Sequence, residues 1–168
     1  MTVFSARNVS SSTVPAPVDQ IWPVITDPST LAALTPLVRS IEAFDSHWTW
    51  TLEGIGSLGL NVDAAFTERM KFTEGRQIIF SHDPPPGAEE IAGLEGVYDL
   101  TPVGDDRTHL AVDLALSIDL PLPGLPRTAV EGVLRSMMQV TGRMFATNLY
   151  EHLGLDPSTV DITEGQVQ

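Results

Sequence analysis

The chain has no cysteine, which excludes disulfides, thiolate nucleophiles and cysteine-ligated metals together. Positive charge is scarce: Lys and Arg number 9 against 22 Asp and Glu, a net charge of −13. Such a surface repels nucleic-acid phosphates and anionic lipid, so no nucleic-acid partner is expected. No apolar run approaches the roughly 18 residues of a membrane helix, so no integral membrane segment is expected. Met1 to Arg7 has no apolar stretch of signal-peptide length. A cytoplasmic location follows as the expectation. His47, His82, His109 and His152 lack metal-ligand spacing, and there is neither a G-x-S-x-G nucleophile elbow nor a P-loop. No metal and no cofactor is expected.

What remains suffices for one folded unit. The length of 168 residues matches one domain, and a hydrophobic share of 42% supports a core. Residues 1–153 are expected to form the domain, and 154–168, polar with scattered apolar residues, a flexible C-terminal tail. Thr2 to Thr13 reads as a strand. Val18, Ile21, Trp22 and Ile25 follow helical spacing, and Asp27-Pro28 ends that helix. A second short helix runs from Ser29 to Leu34.

The middle of the chain switches to period two. Trp48, Trp50 and Leu52 alternate with threonine and glutamate; Phe66, Met70 and Phe72 do the same with polar partners. Leu110 to Leu120 is the clearest case, apolar at every even position. Alternation of this kind predicts an antiparallel sheet with one dry face. From Thr128 to Leu153 helical spacing returns, with Val130, Val133, Leu134, Met137, Val140, Met144 and Phe145 on one broad arc. A long amphipathic helix needs an apolar surface, and the sheet offers one. Pro121-Leu122-Pro123-Gly124-Leu125-Pro126 is a stiff loop between the two, and its leucines either gate a cavity mouth or cap the helix against the core.

Gly54-Ile55-Gly56-Ser57-Leu58-Gly59 satisfies G-x-G-x-x-G. A dinucleotide site needs a strand buried on both faces before the glycines and a helix starting within them. The preceding Trp-Thr-Trp-Thr alternation belongs to a half-wet sheet, so a glycine-rich hairpin is the simpler reading. Helical spacing of Val62, Phe66 and Met70 is what the other reading retains.

Ala16-Pro17-Val18-Asp19-Gln20-Ile21-Trp22 with Ile25-Thr26-Asp27-Pro28 resembles the opening signature of the START-like (SRPBCC) superfamily. Trp48 to Gly59, Asp63 to Glu68, Gly75 to Phe80 and Gly96-Val97-Tyr98-Asp99-Leu100-Thr101-Pro102 are similar to its central strands. The resemblance spans about residues 2 to 153 and is nearest to the bacterial polyketide cyclase/dehydrase branch. It implies an α+β helix-grip fold: a curved antiparallel sheet wrapped around a long C-terminal helix, with two short helices after the first strand. It also implies an apolar cavity between sheet and helix. Members bind lipids, sterols, polyketides or quinones, and some catalyse cyclisation or dehydration. Because the fold is shared and the reaction is not, function has to be argued from the site.

On that frame the expected ligand-contacting residues are Trp48, Trp50, Phe66, Met70, Phe80 and Tyr98 of the sheet. Leu122 and Leu125 of the loop, and Leu134, Met137, Thr141, Phe145 and Asn148 of the helix, join them. Each apolar one is equally explained as core. Glu68 falls in phase with Phe66 and Met70 and points inward unless a bulge turns it out. His82 follows Ile78 and Phe80 in phase and faces either the cavity or its rim. Thr141 either meets the cavity or bonds back to its own helix; a buried Asn148 needs partners the helix lacks.

Three functions compete. The first is binding or carriage of an apolar small molecule such as a lipid, quinone or polyketide, by a monomer or homodimer. The second is an aromatase/cyclase, with Glu68, His82 and Tyr98 as catalytic candidates for aldol closure and dehydration. The third is a protein-interaction or assembly role marked by an exposed apolar patch.

Overall fold

The computed structural model describes residues 2–53 and 64–166. Its elements run β1 (Thr2–Val14), α1 (Val18–Ile25), α2 (Pro28–Leu34), β2 (Val38–Phe44), β3 (His47–Leu52) and β4 (Ala65–Thr73). They continue with β5 (Gln77–His82), β6 (Ala92–Val103), β7 (Arg107–Leu120), α3 (Arg127–His152) and β8 (Thr163–Glu164). One sheet of 8 strands is ordered β2-β3-β4-β5-β6-β7-β1-β8, with every neighbouring pair antiparallel. The fold class is α+β, and the curved sheet, the long C-terminal helix and the two short helices after β1 are all present. The glycine-rich stretch 54–59 lies outside the described residues. Phe66 and Met70 sit on strand β4, so the helix that a dinucleotide site requires is not formed there.

Local chemistry sets the boundaries. Asp27 closes α1 and caps α2, its carboxylate accepting from the Thr30 backbone N–H at 3.0 Å, with Pro28 in the first turn. Gly75 and Gly104, both at φ +66°, turn the β4–β5 and β6–β7 hairpins. Asn148 donates its amide to the Leu34 carbonyl at 2.9 Å and ties α3 to the end of α2. That carbonyl is among those a helix end leaves without an intrahelical partner.

Helix α3 buries a narrower stripe than its sequence promises. Val130, Leu134, Leu149 and Tyr150 are buried, whereas Val133, Val140 and Met144 are 44%, 50% and 50% exposed. The helix meets only one sheet face, so the dry positions follow single i+4 rows. Residues a third of a turn away reach solvent.

The segment after α3 lies against the fold. Pro157–Thr159 forms a short 3-10 turn, Leu155 and Val160 pack on the core, and β8 pairs with β1 at Ser10↔Glu164 and Ser11↔Thr163. The Gly165 N–H donates to the Val9 carbonyl at 2.6 Å. A strand of two residues has no periodicity to read, which is why the sequence gives no sign of it. Its effect is to cover part of an edge that β1 would otherwise leave open.

Candidate functional site

A cavity of about 210 Å³ lies between the inner sheet face and α3. Leu94, Val112, Leu114 and Leu116 of β6 and β7 form its floor, and Met137, Met138 and Phe145 of α3 face them. Of the residues expected from sequence, Trp50, Phe66, Tyr98, Met137, Thr141 and Phe145 border it. Trp50 and Phe66 stack at 6.1 Å with an interplanar angle of 9°.

The other expected residues lie elsewhere. Trp48, Met70, Phe80 and Leu134 are buried in the core and do not border the cavity. Trp48 instead packs on Phe72 at a ring distance of 5.6 Å. Leu122 packs against the core while Leu125 is 53% exposed, and neither borders the cavity. Asn148 spends its amide on Leu34.

Sequence reasoning placed β1 as a strand but missed its part in the cavity. Its inner face runs Phe4, Ala6, Asn8, Ser10, Ser12 and Val14, buried at the ends and polar in the middle, and the polar members border the cavity. The strict two-residue period was the available signal, masked by the general richness of the strand in serine. Ile162 and Glu164 complete this side. Ser12 Oγ and Glu164 Oε2 are buried with no hydrogen-bond partner among the described residues. Leu37, beside a register shift between Val38 and Ser40, also borders the cavity and holds φ at 67°. That backbone region is costly for a side chain such as leucine.

Glu68 points inward and is fully buried, in phase with Phe66 and Met70. Both carboxyl oxygens lack a hydrogen-bond partner among the described residues. Burial pushes its pKa up to about 9, and the Trp50 indole works weakly against this without completing a hydrogen bond. At neutral pH the group is therefore a protonated acid. The pKa has passed the range that suits a general base. Glu68 does not itself border the cavity; its neighbours Trp50 and Tyr98 do. Burial, and secondarily the charge of Glu68, pushes the Tyr98 hydroxyl well above the usual phenol range.

His82 stands opposite Glu68 in the β4–β5 ladder, but its Nε2 lies 2.9 Å from Glu90 Oε2. Glu90 in turn accepts from the Thr67 N–H and hydroxyl, each at 2.8 Å. The imidazole rests on β6 where Gly93 leaves room: a Cβ there would come within 2.6 Å of the ring. His82 thus anchors the loop after β5 and makes no hydrogen bond to Glu68. Glu68 and Tyr98 both face the inner side of the sheet, on β4 and β6, with no hydrogen bond between them among the described residues, and His82 turns to Glu90.

No protein-family model matches the chain, and no curated protein matches it significantly. Solved structures do resemble it. A conserved protein from Geobacillus kaustophilus superposes with a TM-score of 0.67 at 17% identity, covering 93% of this chain and 98% of that one. A START superfamily protein from Mycobacterium smegmatis gives 0.63 at 18% identity, covering 88% and 97%. The Zhui aromatase/cyclase of a Streptomyces species gives 0.54 at 18% identity, covering 91% and 93%. Likeness at these identities establishes the fold.

Proposed function

With the START-like helix-grip fold as the frame, we propose that the chain binds an apolar small molecule in the cavity between its sheet and α3. The observation that carries this reading is the chemistry of the walls. A leucine- and valine-lined floor faces methionine and phenylalanine from the helix, and polar groups are confined to a few positions. Binding would remove water from that apolar surface, which favours the complex by roughly 25 cal/mol per Å² buried. A lipid, a quinone and an aromatic polyketide all satisfy the requirement.

Tryptophan emission tests it. Trp50 borders the cavity, whereas Trp22 and Trp48 are core residues. Titration with 1-octanol should shift the emission of the Trp22→Phe/Trp48→Phe protein and leave that of Trp50→Phe unchanged. No response in the first variant contradicts the reading.

A second reading, the aromatase/cyclase, is favoured by one observation, the Tyr98 side chain at the border of the cavity. The Zhui aromatase/cyclase among the similar folds supports it. Here the Tyr98 hydroxyl would donate a hydrogen bond to a substrate carbonyl oxygen and stabilise the enolate that forms as a solvent water takes the acidic α-proton. Tyr98→Phe should then lower kcat on a linear poly-β-ketone by about 100-fold with KM nearly unchanged. Turnover equal to wild type, or none in either protein, removes the enzymatic reading and leaves the binding one.

A further inference from the structure

Most of the cavity lining is apolar, and along β1 and β8 it carries polar side chains without hydrogen-bond partners among the described residues. Asn8, only 8% exposed, borders the cavity with Ser10 and Ser12 on the inner face of β1. Among the described residues no side-chain hydrogen bond engages any of the three. Ser12 Oγ and Glu164 Oε2 are both buried and without a partner. Glu164 reaches this wall because β8 folds back onto β1 and sets it opposite Ser10. Buried polar groups without partners are destabilising, and each invites an explanation such as a bound group.

This wall lies away from Tyr98. The inner-face ladder runs Tyr98↔Val112↔Ser10↔Glu164 across β6, β7, β1 and β8. With strands about 4.8 Å apart, Ser10 is roughly 10 Å from Tyr98 along that row. An apolar stretch centred on Val112 separates the two polar ends. A molecule in the cavity thus has its head at one end or the other.

Resting on the cavity reading, we infer that the β1–β8 wall recognises a hydroxyl group on an otherwise apolar ligand, with Glu164 and Ser12 as its specificity residues. A hydroxyl donates one hydrogen bond and accepts others, matching what the wall offers: a carboxyl oxygen to receive the proton, and serine hydroxyls or the Asn8 amide to donate in return. An anionic head finds a carboxylate and a net charge of −13 against it. An ammonium head has no lone pair for the serine and amide donors. The segment after α3 therefore supplies part of the binding site.

Calorimetric titration of the full chain with naphthalene, 2-naphthol and 2-naphthoate tests this. 2-Naphthol is expected to bind about 10-fold more tightly than naphthalene, the worth of one hydrogen bond to a charged acceptor, and 2-naphthoate more weakly than either. Glu164→Leu and Ser12→Ala should each shrink the ratio of 2-naphthol to naphthalene affinity below about threefold. Glu164→Gln, which keeps the shape of the side chain, should give an intermediate loss. Tyr98→Phe should leave the advantage intact. Equal binding of naphthalene and 2-naphthol overturns the inference and spares the cavity reading. So does an advantage that survives both wall variants or vanishes in Tyr98→Phe. Failure of both naphthalene and 2-naphthol to bind overturns both.

Discussion

Glu68 of β4 stands opposite His82 of β5, yet the imidazole turns to Glu90 and the buried Glu68 carboxyl has no hydrogen-bond partner among the described residues. The buried Glu68 carboxyl makes stability depend on pH in a defined direction. Glu68 titrates near 4.5 when unfolded and at about 9 when folded, so the folded state holds an extra proton between those values. The Glu68 contribution is full below about pH 4.5, falls as pH rises, and levels off above about 9, with a slope of up to about 1.4 kcal/mol per pH unit. Denaturant unfolding at several pH values should show this fall. Glu68→Gln should flatten it and be the more stable protein at pH 8. A Gln variant with an unchanged slope assigns the fall to other groups.

At the acid end the sign reverses. Asp27, Asp83 and Asp113 are held below the usual carboxylate range, by the Thr30 and Ser29 donors, by His47 and Arg69, and by Arg7 respectively. Their contribution is present above about pH 4 and is lost as pH falls through their lowered values. With Glu68 this places the stability maximum near pH 5, which a pH series of melting temperatures reads directly.

The proline loop separates its two leucines. Leu122 packs on the core, so Leu122→Asp should destabilise by about 1–3 kcal/mol. Leu125 is exposed, so Leu125→Asp should stay within about 0.5 kcal/mol. Neither should alter the rate of ligand uptake, because neither borders the cavity. Stopped-flow uptake of 2-naphthol slowed by Leu125→Asp would restore a gating role.

Gly165 approaches β1 too closely for a side chain. A Cβ there would sit 2.9 Å from Val9 Cγ1 and 3.2 Å from the Val9 carbonyl oxygen. Gly165→Val should therefore push β8 off β1, speed amide exchange at position 165 by at least about tenfold, and leave the other strands protected. Unchanged exchange would mean the contact yields without cost.

Much of the architecture was legible because burial on one face writes a period into the chain. Leu110 to Leu120 named β7, Val18 to Ile25 named α1, and Asp27-Pro28 marked the boundary between helices. The cavity was half legible. Trp50, Phe66, Met137 and Phe145 could be placed on the right face, but face alone does not separate a cavity wall from core. Trp48, one pair along the same strand, packs against Phe72 instead. The polar residues on the inner face of β1 gave no sign of a cavity, since nothing local distinguishes a serine in a cavity from one in water. Glu164 was out of reach entirely, because its position depends on a pairing between chain segments about 150 residues apart.

The most direct test of the central claim is methyl NMR of the protein labelled at its methionines. Met137 and Met138 border the cavity, Met70 is core, and Met144 is exposed on α3. Naphthalene titration should move the Met137 and Met138 methyl resonances saturably and leave those of Met70 and Met144 in place. Resonances that do not move, or a shift confined to Met144, would contradict an internal ligand site between the sheet and α3.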